Sequence, residues 1–203
     1  MAEVKGLFWD VGGILLTNGW DRATRRRAVE TFNLDLEEFE DRHEQVDAAF
    51  ELGQLGLDGY LDRTVFYRSR PFTKQALKEF MFAQSAPYPE ALAIVERLAG
   101  SGRYLLATLN NESLELNLHR IDRFGLRRYF SMFLSSCFLG AKKPDHTIFR
   151  LALQLTQLAP EEALFIDDRA LNLECARSYG MHTIHYQHVA QLQEELRTLN
   201  IEA

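Results

Sequence analysis

The stretch GLFWDVGGILL, Gly6 to Leu16, runs an apolar strand pattern straight into a carboxylate at Asp10, then turns apolar again after Gly12 and Gly13. Unbroken hydrophobicity of this length describes a strand buried on both faces, as in a parallel sheet, rather than the alternation of a half-exposed one. An acid that closes such a strand stands at the rim of a crevice, desolvated on one side, where a reactive carboxylate belongs. Gly12 and Gly13 suit a sharp backbone turn and a close approach to whatever Asp10 faces.

Three further runs share this shape. RYLLATL ends at Asn110 and Asn111, YFSMFLSS leads into Cys137, and ALFI ends at Asp167 and Asp168, with HTIHY as a fifth run later in the chain. Between them lie the helix-like segments YPEALAIVERLAGSG, DHTIFRLALQLTQL and LNLECARSYG. The first starts with Pro89 at an expected N1 position and stops at Gly100 and Gly102. Strand alternating with helix predicts an α/β fold, a doubly wound parallel sheet with right-handed crossovers. Residues 17–87 break the alternation with four amphipathic, helical stretches, too long for a crossover and too helical for a loop. They read as a helical cap inserted after the first strand, with Pro87 and Pro89 marking the return. The expected division is a core of residues 1–16 and 88–203 and a cap of residues 17–87.

The chain has 203 residues, 46% of them hydrophobic, enough for an ordinary core. A net charge of -6 argues against nucleic acid as a partner. The run Arg25-Arg26-Arg27, with acids on both sides, reads as a solvated helix face. Cys137 and Cys175 are too few and too far apart for a disulfide framework or a zinc site, and are expected in the core of a reduced, cytoplasmic protein. No apolar run approaches the roughly 20 residues of a membrane span, and the N-terminus lacks a secretory pattern. A monomer or homodimer acting on a small molecule is the expectation.

In an open parallel sheet, ligands bind outside the carboxyl ends of the strands, where strand order switches. Asp10, Asn110-Asn111 and Asp167-Asp168 all fall at such ends, and GAKKPD delivers Lys142, Lys143 and Asp145 through a short turn. Each alone has a bland explanation, an N-cap or a helix start. Together, in chain order, FWDVGG, TLNNES, GAKKPDHTIF and LFIDDRALNLECARSYGM resemble the four motifs of the haloacid dehalogenase superfamily of hydrolases, and the helical insert resembles that family's cap. The first motif, Asp-x-Gly, is similar to that of a capped branch of sugar-phosphate phosphatases, of the α-D-glucose-1-phosphate phosphatase kind.

The resemblance implies a phosphatase cleaving a small phosphate monoester through an aspartyl-phosphate on Asp10. Mg²⁺ would be held by Asp10, the Gly12 carbonyl and one or both of Asp167 and Asp168. Lys143 would put a point charge on the phosphate, and backbone N–H groups of Asn110 and Asn111, with Gly12 and Gly13 close by, would hold its oxygens. Thr108 sits one step early for the second motif. Asn172 stands where a further carboxylate often follows the acidic pair and would support it from behind.

One departure matters. Family phosphatases usually carry a second aspartate two residues after the nucleophile, to protonate the leaving oxygen, and here that position is Gly12. Two alternatives follow: a haloacid dehalogenase using Asp10 on carbon, since a halide needs no proton, or a non-catalytic binding or regulatory member of the family. Trp20, Asp21, Arg22, Phe50 and Tyr67 are candidate cap residues facing the substrate. None of the six histidines shows metal-ligand spacing, and none is assigned chemistry.

Overall fold

A computed structural model describes residues 3–202. Its five strands, β1 Gly6–Trp9, β2 Leu105–Thr108, β3 Met132–Phe133, β4 Ala163–Asp167 and β5 His182–His185, form one sheet in the order β3-β2-β1-β4-β5. Every pairing is parallel, with Trp9 opposite Thr108 on one side and Ile166 on the other. Ten α-helices accompany them: α1 Arg22–Phe32, α2 Leu36–Glu51, α3 Leu57–Thr64, α4 Lys74–Ala83, α5 Pro89–Ser101, α6 Leu114–Arg123, α7 Ser136–Leu139, α8 His146–Thr156, α9 Ala170–Ser178 and α10 Val189–Thr198. The expected doubly wound sheet is present. Helices α6 and α10 were not singled out by the apolar pattern.

The central strands are apolar throughout because each face has its own helical layer. Leu7, Trp9, Leu164 and Ile166 pack into one cluster, with α5 and α10, while Phe8, Ala163 and Phe165 pack into another, with α8 and α9. β3 is only two residues long, shorter than YFSMFLSS suggests. The serines divert the chain there: Ser136 N–H donates to the Asn110 carbonyl at 2.9 Å and Ser135 Oγ to Asn110 Oδ1 at 2.8 Å, and α7 starts at once. Cys137 and Cys175 are only partly buried, rather than in the core as expected, with Cys175 packed against the edge of the second cluster.

Helices α1 to α4 surround an apolar cluster of their own, including Phe39, Phe50, Tyr60 and Leu61. The chain leaves for it and comes back from it side by side. Thr17 N–H donates to the Ala86 carbonyl at 2.9 Å, Tyr88 N–H to the Leu15 carbonyl at 2.8 Å, and Leu16 bridges Pro87. Core residues then hold the cap's polar groups. The Arg120 guanidinium on α6 donates to the Thr17 carbonyl. Glu115 accepts the Leu57 N–H at 2.9 Å, capping α3, whose own N-cap is Gly56. Arg25 is not on a solvated face as the arginine run suggested: it pairs bidentately with Glu40, at 2.9 and 3.1 Å, and donates to the Trp20 carbonyl. Arg26 and Arg27 are exposed, as expected.

One buried polar chain runs through the cap. Trp20 Nε1 is 2.8 Å from the Tyr60 hydroxyl, which is 2.9 Å from His43 Nδ1, and His43 Nε2 is 3.4 Å from Asp47. An indole N–H can only donate, so Tyr60 must pass its own proton toward Nδ1, and the remaining imidazole proton faces Asp47. Protonating Nδ1 would take from the buried Tyr60 hydroxyl proton its acceptor. Burial, reinforced by the Arg25 charge, pushes the His43 pKa down to about 4. The folded protein therefore binds this proton less readily than the unfolded chain, and stability falls as pH drops from about 6.5 toward 4, by up to about 3 kcal/mol. Between pH 7.5 and 5 the urea midpoint of the wild type should change less favourably than that of His43→Gln, because the contributions of all other groups are common to the two proteins. Equal changes in the two would rule out His43 as the titrating group.

Candidate active site

Asp10 is the first residue past the central strand, and its own N–H continues the ladder to the Ile166 carbonyl at 2.9 Å. It stands between β1 and β4, where the chain order reverses across the sheet. Asp10 Oδ1 accepts from the Val11 N–H at 2.8 Å and lies 3.1 Å from Lys143 Nζ. Lys143 is buried over the Phe165 ring and also donates to Asp167 Oδ2 at 2.6 Å. Burial pushes its pKa down, but the charges of Asp10 and Asp167 outweigh that and keep the ammonium above the usual lysine range. For Asp10 the balance goes the other way. Burial, reinforced by Asp167 and Asp168, outweighs the nearby ammonium and raises its pKa to about 6.

The acidic pair divides its work. Both oxygens of Asp167 are engaged: Asn172 Nδ2 lies 3.0 Å from each, the Arg169 N–H donates to Oδ1 at 2.8 Å, and Lys143 holds Oδ2. Asp168 Oδ1, by contrast, is buried without any hydrogen-bond partner, and burial with the Asp167 charge raises this carboxyl's pKa. Asp10, Asp167 and Asp168 each offer one oxygen, all within 4.8 Å of one another. A hard cation with oxygen ligands fits this set, because it would satisfy the orphaned Asp168 oxygen and offset the crowded negative charge.

The second motif works through its backbone. Asn110 is buried and bonded to Ser135 and Asn117, off the cavity wall. The Asn111 amide clamps the Lys143 backbone from both sides, donating to its carbonyl and accepting its N–H at 2.8 Å each. Neither side chain is free for a ligand, while the main-chain N–H groups of Asn110 and Asn111 donate to no acceptor among the described residues. Thr108 lies inside β2, buried. Of the two glycines, only Gly13 needs its freedom, with φ 77°; a Cβ there would stand 2.5 Å from Asp168 Oδ2. Gly12 lies outside the left-handed region, so the sharp turn expected at both glycines rests on Gly13 alone.

Cap and core enclose a cavity of about 360 Å³ lined by Asp10, Gly12, Lys143 and Asn172 from the core and by Trp20, Asp21 and Phe50 from the cap side. Arg22 and Tyr67 do not reach it. Arg42 lies 3.4 Å from the Tyr67 ring centroid, on another face of the cap. Several wall residues escaped the motif reading: Asn18, the buried Glu112–Arg120 pair at 2.8 Å, and Asp47 and Glu51 facing Lys142. The i, i+4 spacing of Asp47 and Glu51 on α2 was the visible signal; nothing in the sequence pairs Glu112 with Arg120. His185 stays out of the cavity wall but supports it, its Nε2 lying 3.1 Å from the Asp168 carbonyl.

The family model for haloacid dehalogenase-like hydrolase matches residues 4–180, and the chain belongs to that family. Among curated relatives it is 27% identical over 160 residues to a chloroplast flavin mononucleotide hydrolase of Arabidopsis thaliana, covering 79% of this chain and 64% of that protein. It is 31% identical over 97 residues to a phosphoglycolate phosphatase of Aquifex aeolicus, covering 48% of this chain and 45% of that one. These matches span less than two thirds of each relative's length. Among solved structures, a family enzyme of Bacteroides thetaiotaomicron in a magnesium complex superposes with a TM-score of 0.76 at 19% identity, covering 92% of this chain and 94% of that one. No helix among the described residues is long and apolar enough to cross a membrane.

Proposed function

We propose that the protein is a Mg²⁺-dependent phosphatase acting on a small phosphate monoester, with a sugar phosphate as the substrate class. The observation that carries this reading is Asp10 and Lys143 together on one cavity wall, with an oxygen of Asp168, a residue that has a partnerless carboxyl oxygen, within 4.8 Å of one of Asp10. Asp10 Oδ2 is the attacking oxygen, since Oδ1 is held by the Val11 N–H and Lys143. Lys143 and the free N–H groups of Asn110 and Asn111 receive the phosphoryl oxygens. The cation, held by Asp10, Asp168 and the Gly12 carbonyl, supplies Lewis-acid polarisation of the phosphoryl group when bound. Asp167 is better fitted to hold Lys143 than to bind metal, because both its oxygens are already taken. Trp20 and Phe50 offer apolar faces, and Asp47 and Glu51 polar edges, to a hydroxylated leaving group. The relatives named as phosphatase and as flavin mononucleotide hydrolase support phosphate as the group removed.

The division into a core of residues 1–16 and 88–203 and a cap of residues 17–87 belongs to the same reading, supported by the paired strand crossing at Leu16 and Pro87. So do a cytoplasmic setting and a monomeric or homodimeric state. Haloacid dehalogenation is the second reading, favoured by Gly12 alone. The test is release of inorganic phosphate from a panel of sugar phosphates, and of chloride from 2-chloropropionate, with Mg²⁺ and with EDTA. Phosphate release that EDTA suppresses at least about 10²-fold is expected. Metal-independent chloride release would replace this reading with the second one, and inertness in every arm would favour a binding protein.

A further inference from the structure

The family resemblance puts a proton donor for the leaving oxygen at position 12, which is glycine here, and Asn18 reaches into that space. A Cβ built on Gly12 would lie 2.7 Å from Asn18 Oδ1 and 3.9 Å from Arg120 Nη1. The backbone there is not left-handed, so the space a side chain would need is limited by the Asn18 amide rather than by torsional strain. Asn18 comes from the segment leading into the cap and lines the cavity with Asp10. Its amide can donate a hydrogen bond but has no acidic proton to give.

The acids on the same wall are committed elsewhere. Glu112 holds Arg120 at 2.8 Å through Oε2 and the Ser113 N–H at 3.0 Å through Oε1. Glu51 holds Lys142 at 2.9 Å, Asp47 lies 3.4 Å from His43, and Asp21 caps α1 through the Thr24 N–H at 2.8 Å. Burial raises the Glu112 pKa in spite of Arg120 and the Ser113 N–H, but both its oxygens already serve as acceptors. Among the described residues, every carboxyl of the wall is engaged with a cation or an N–H group, so none points a free oxygen at the leaving group.

We propose that this site releases its leaving group unprotonated and therefore takes phosphoryl groups carried on weakly basic oxygens, as in anomeric, acyl or aryl phosphates, in preference to phosphates of simple alcohols. The inference rests on the phosphatase reading above. In the first step an Asp10 oxygen bonds to phosphorus while the bond from phosphorus to the leaving oxygen breaks. The electron pair goes to that oxygen, which departs as an anion and takes its proton from water at the cavity mouth. Water then attacks the aspartyl phosphate, its oxygen bonding to phosphorus as the Asp10–phosphorus bond breaks. Inorganic phosphate and the free carboxylate result, and the water's proton passes to phosphate or to solvent. The second step is common to all substrates, so the preference appears in kcat/KM, and in kcat only where the first step limits turnover.

The experiment uses the Mg²⁺-supplemented protein on substituted phenyl phosphates of graded leaving-group acidity, with benzyl phosphate as an alkyl phosphate of similar shape. The expected result is a kcat/KM that climbs with acidity, benzyl phosphate lying at least about 10²-fold below phenyl phosphate, the range a positioned acid normally supplies. In Gly12→Asp/Asn18→Ala, where a carboxyl gains both the position and the room, the benzyl deficit should shrink. A flat wild-type series overturns the proposal and leaves the phosphatase reading standing. A flat series that turns steep in Glu112→Gln also overturns it, by identifying Glu112 as the donor. Absence of hydrolysis across the whole series defeats the phosphatase reading and, with it, the inference.

Discussion

Asp10→Asn is expected to lose turnover by at least about 10⁴-fold while folding normally and, without metal, unfolding at a higher temperature than the wild type. The activity loss follows from removing the attacking oxygen, for which no other carboxylate at the rim can substitute: Asp167 is bound on both oxygens, and Asp168 stands beside Gly13 rather than at the strand end. The stability gain follows from the pKa. Asp10 sits at about 6 in the folded protein against 3.8 for the ordinary group, driven first by burial. The folded state thus binds this proton more tightly than the unfolded chain, and stability falls as pH rises from about 4 through about 6. Above that window the ionised Asp10 destabilises the metal-free fold by up to about 3 kcal/mol. A neutral amide escapes this, less whatever is lost with the Lys143 contact, so a net gain of about 1–2 kcal/mol is expected at pH 8 in EDTA. Thermal or urea unfolding of both proteins at pH 8 and pH 4.5 checks it, since the gain must shrink toward the lower pH. A variant less stable than the wild type at pH 8 would mean that Lys143 outweighs desolvation at this site.

Much of this site could be read from the chain because parallel sheets are read that way. Strands buried on both faces must be apolar until they stop, so the first polar residues after GLFW and LFI stand out, and the topology brings them to one edge. Lys143 was visible for the same reason, as a cation in the short segment after the third run. What stayed hidden depends on contacts with no local signature. The different duties of Asp167 and Asp168 follow from where Asn172, Lys143 and the Arg169 N–H point, not from two adjacent aspartates. The second motif was legible as backbone N–H groups at a strand end, but nothing local showed that the Asn110 side chain bonds into the core or that the Asn111 amide clamps the lysine loop. Tyr67 and Arg25 were misjudged because their partners come from elsewhere in the cap: Tyr67, in the turn after α3, lies under Arg42, and Arg25 pairs with Glu40 on α2. Asn18 gave no pattern at all; only its approach to Gly12 in space gives it meaning.

The same geometry predicts the largest stability effect of any single change at this site. Lys143→Met keeps the stem's bulk over Phe165 but removes the charge between Asp10 and Asp167, whose nearest oxygens lie 3.1 and 2.6 Å from it. Asp167 is wholly buried, so its carboxylate would be left with hydrogen bonds but no counter-ion. Stripping one partner from a buried ionic group costs about 3–5 kcal/mol, far more than the net worth of the intact pair. The penalty has a pH signature. It is largest where both acids are ionised, and it shrinks as falling pH neutralises the negative charge that the variant leaves uncompensated. Mg²⁺ should restore part of the loss, since a cation at Asp10 and Asp168 replaces some of the missing positive charge. Turnover should still drop by at least about 10³-fold, because the cation does not replace the hydrogen bonds of an ammonium to the phosphoryl oxygens. Lys143→Arg should recover stability more than activity: it restores charge, but its planar fork cannot reproduce a point contact with both acids in this packed space. Urea unfolding of the three proteins at pH 8 and pH 5, with and without Mg²⁺, and initial rates of phosphate release read these effects separately. A methionine variant within about 1 kcal/mol of wild type at pH 8 would show that the two aspartates do not share their charge with Lys143.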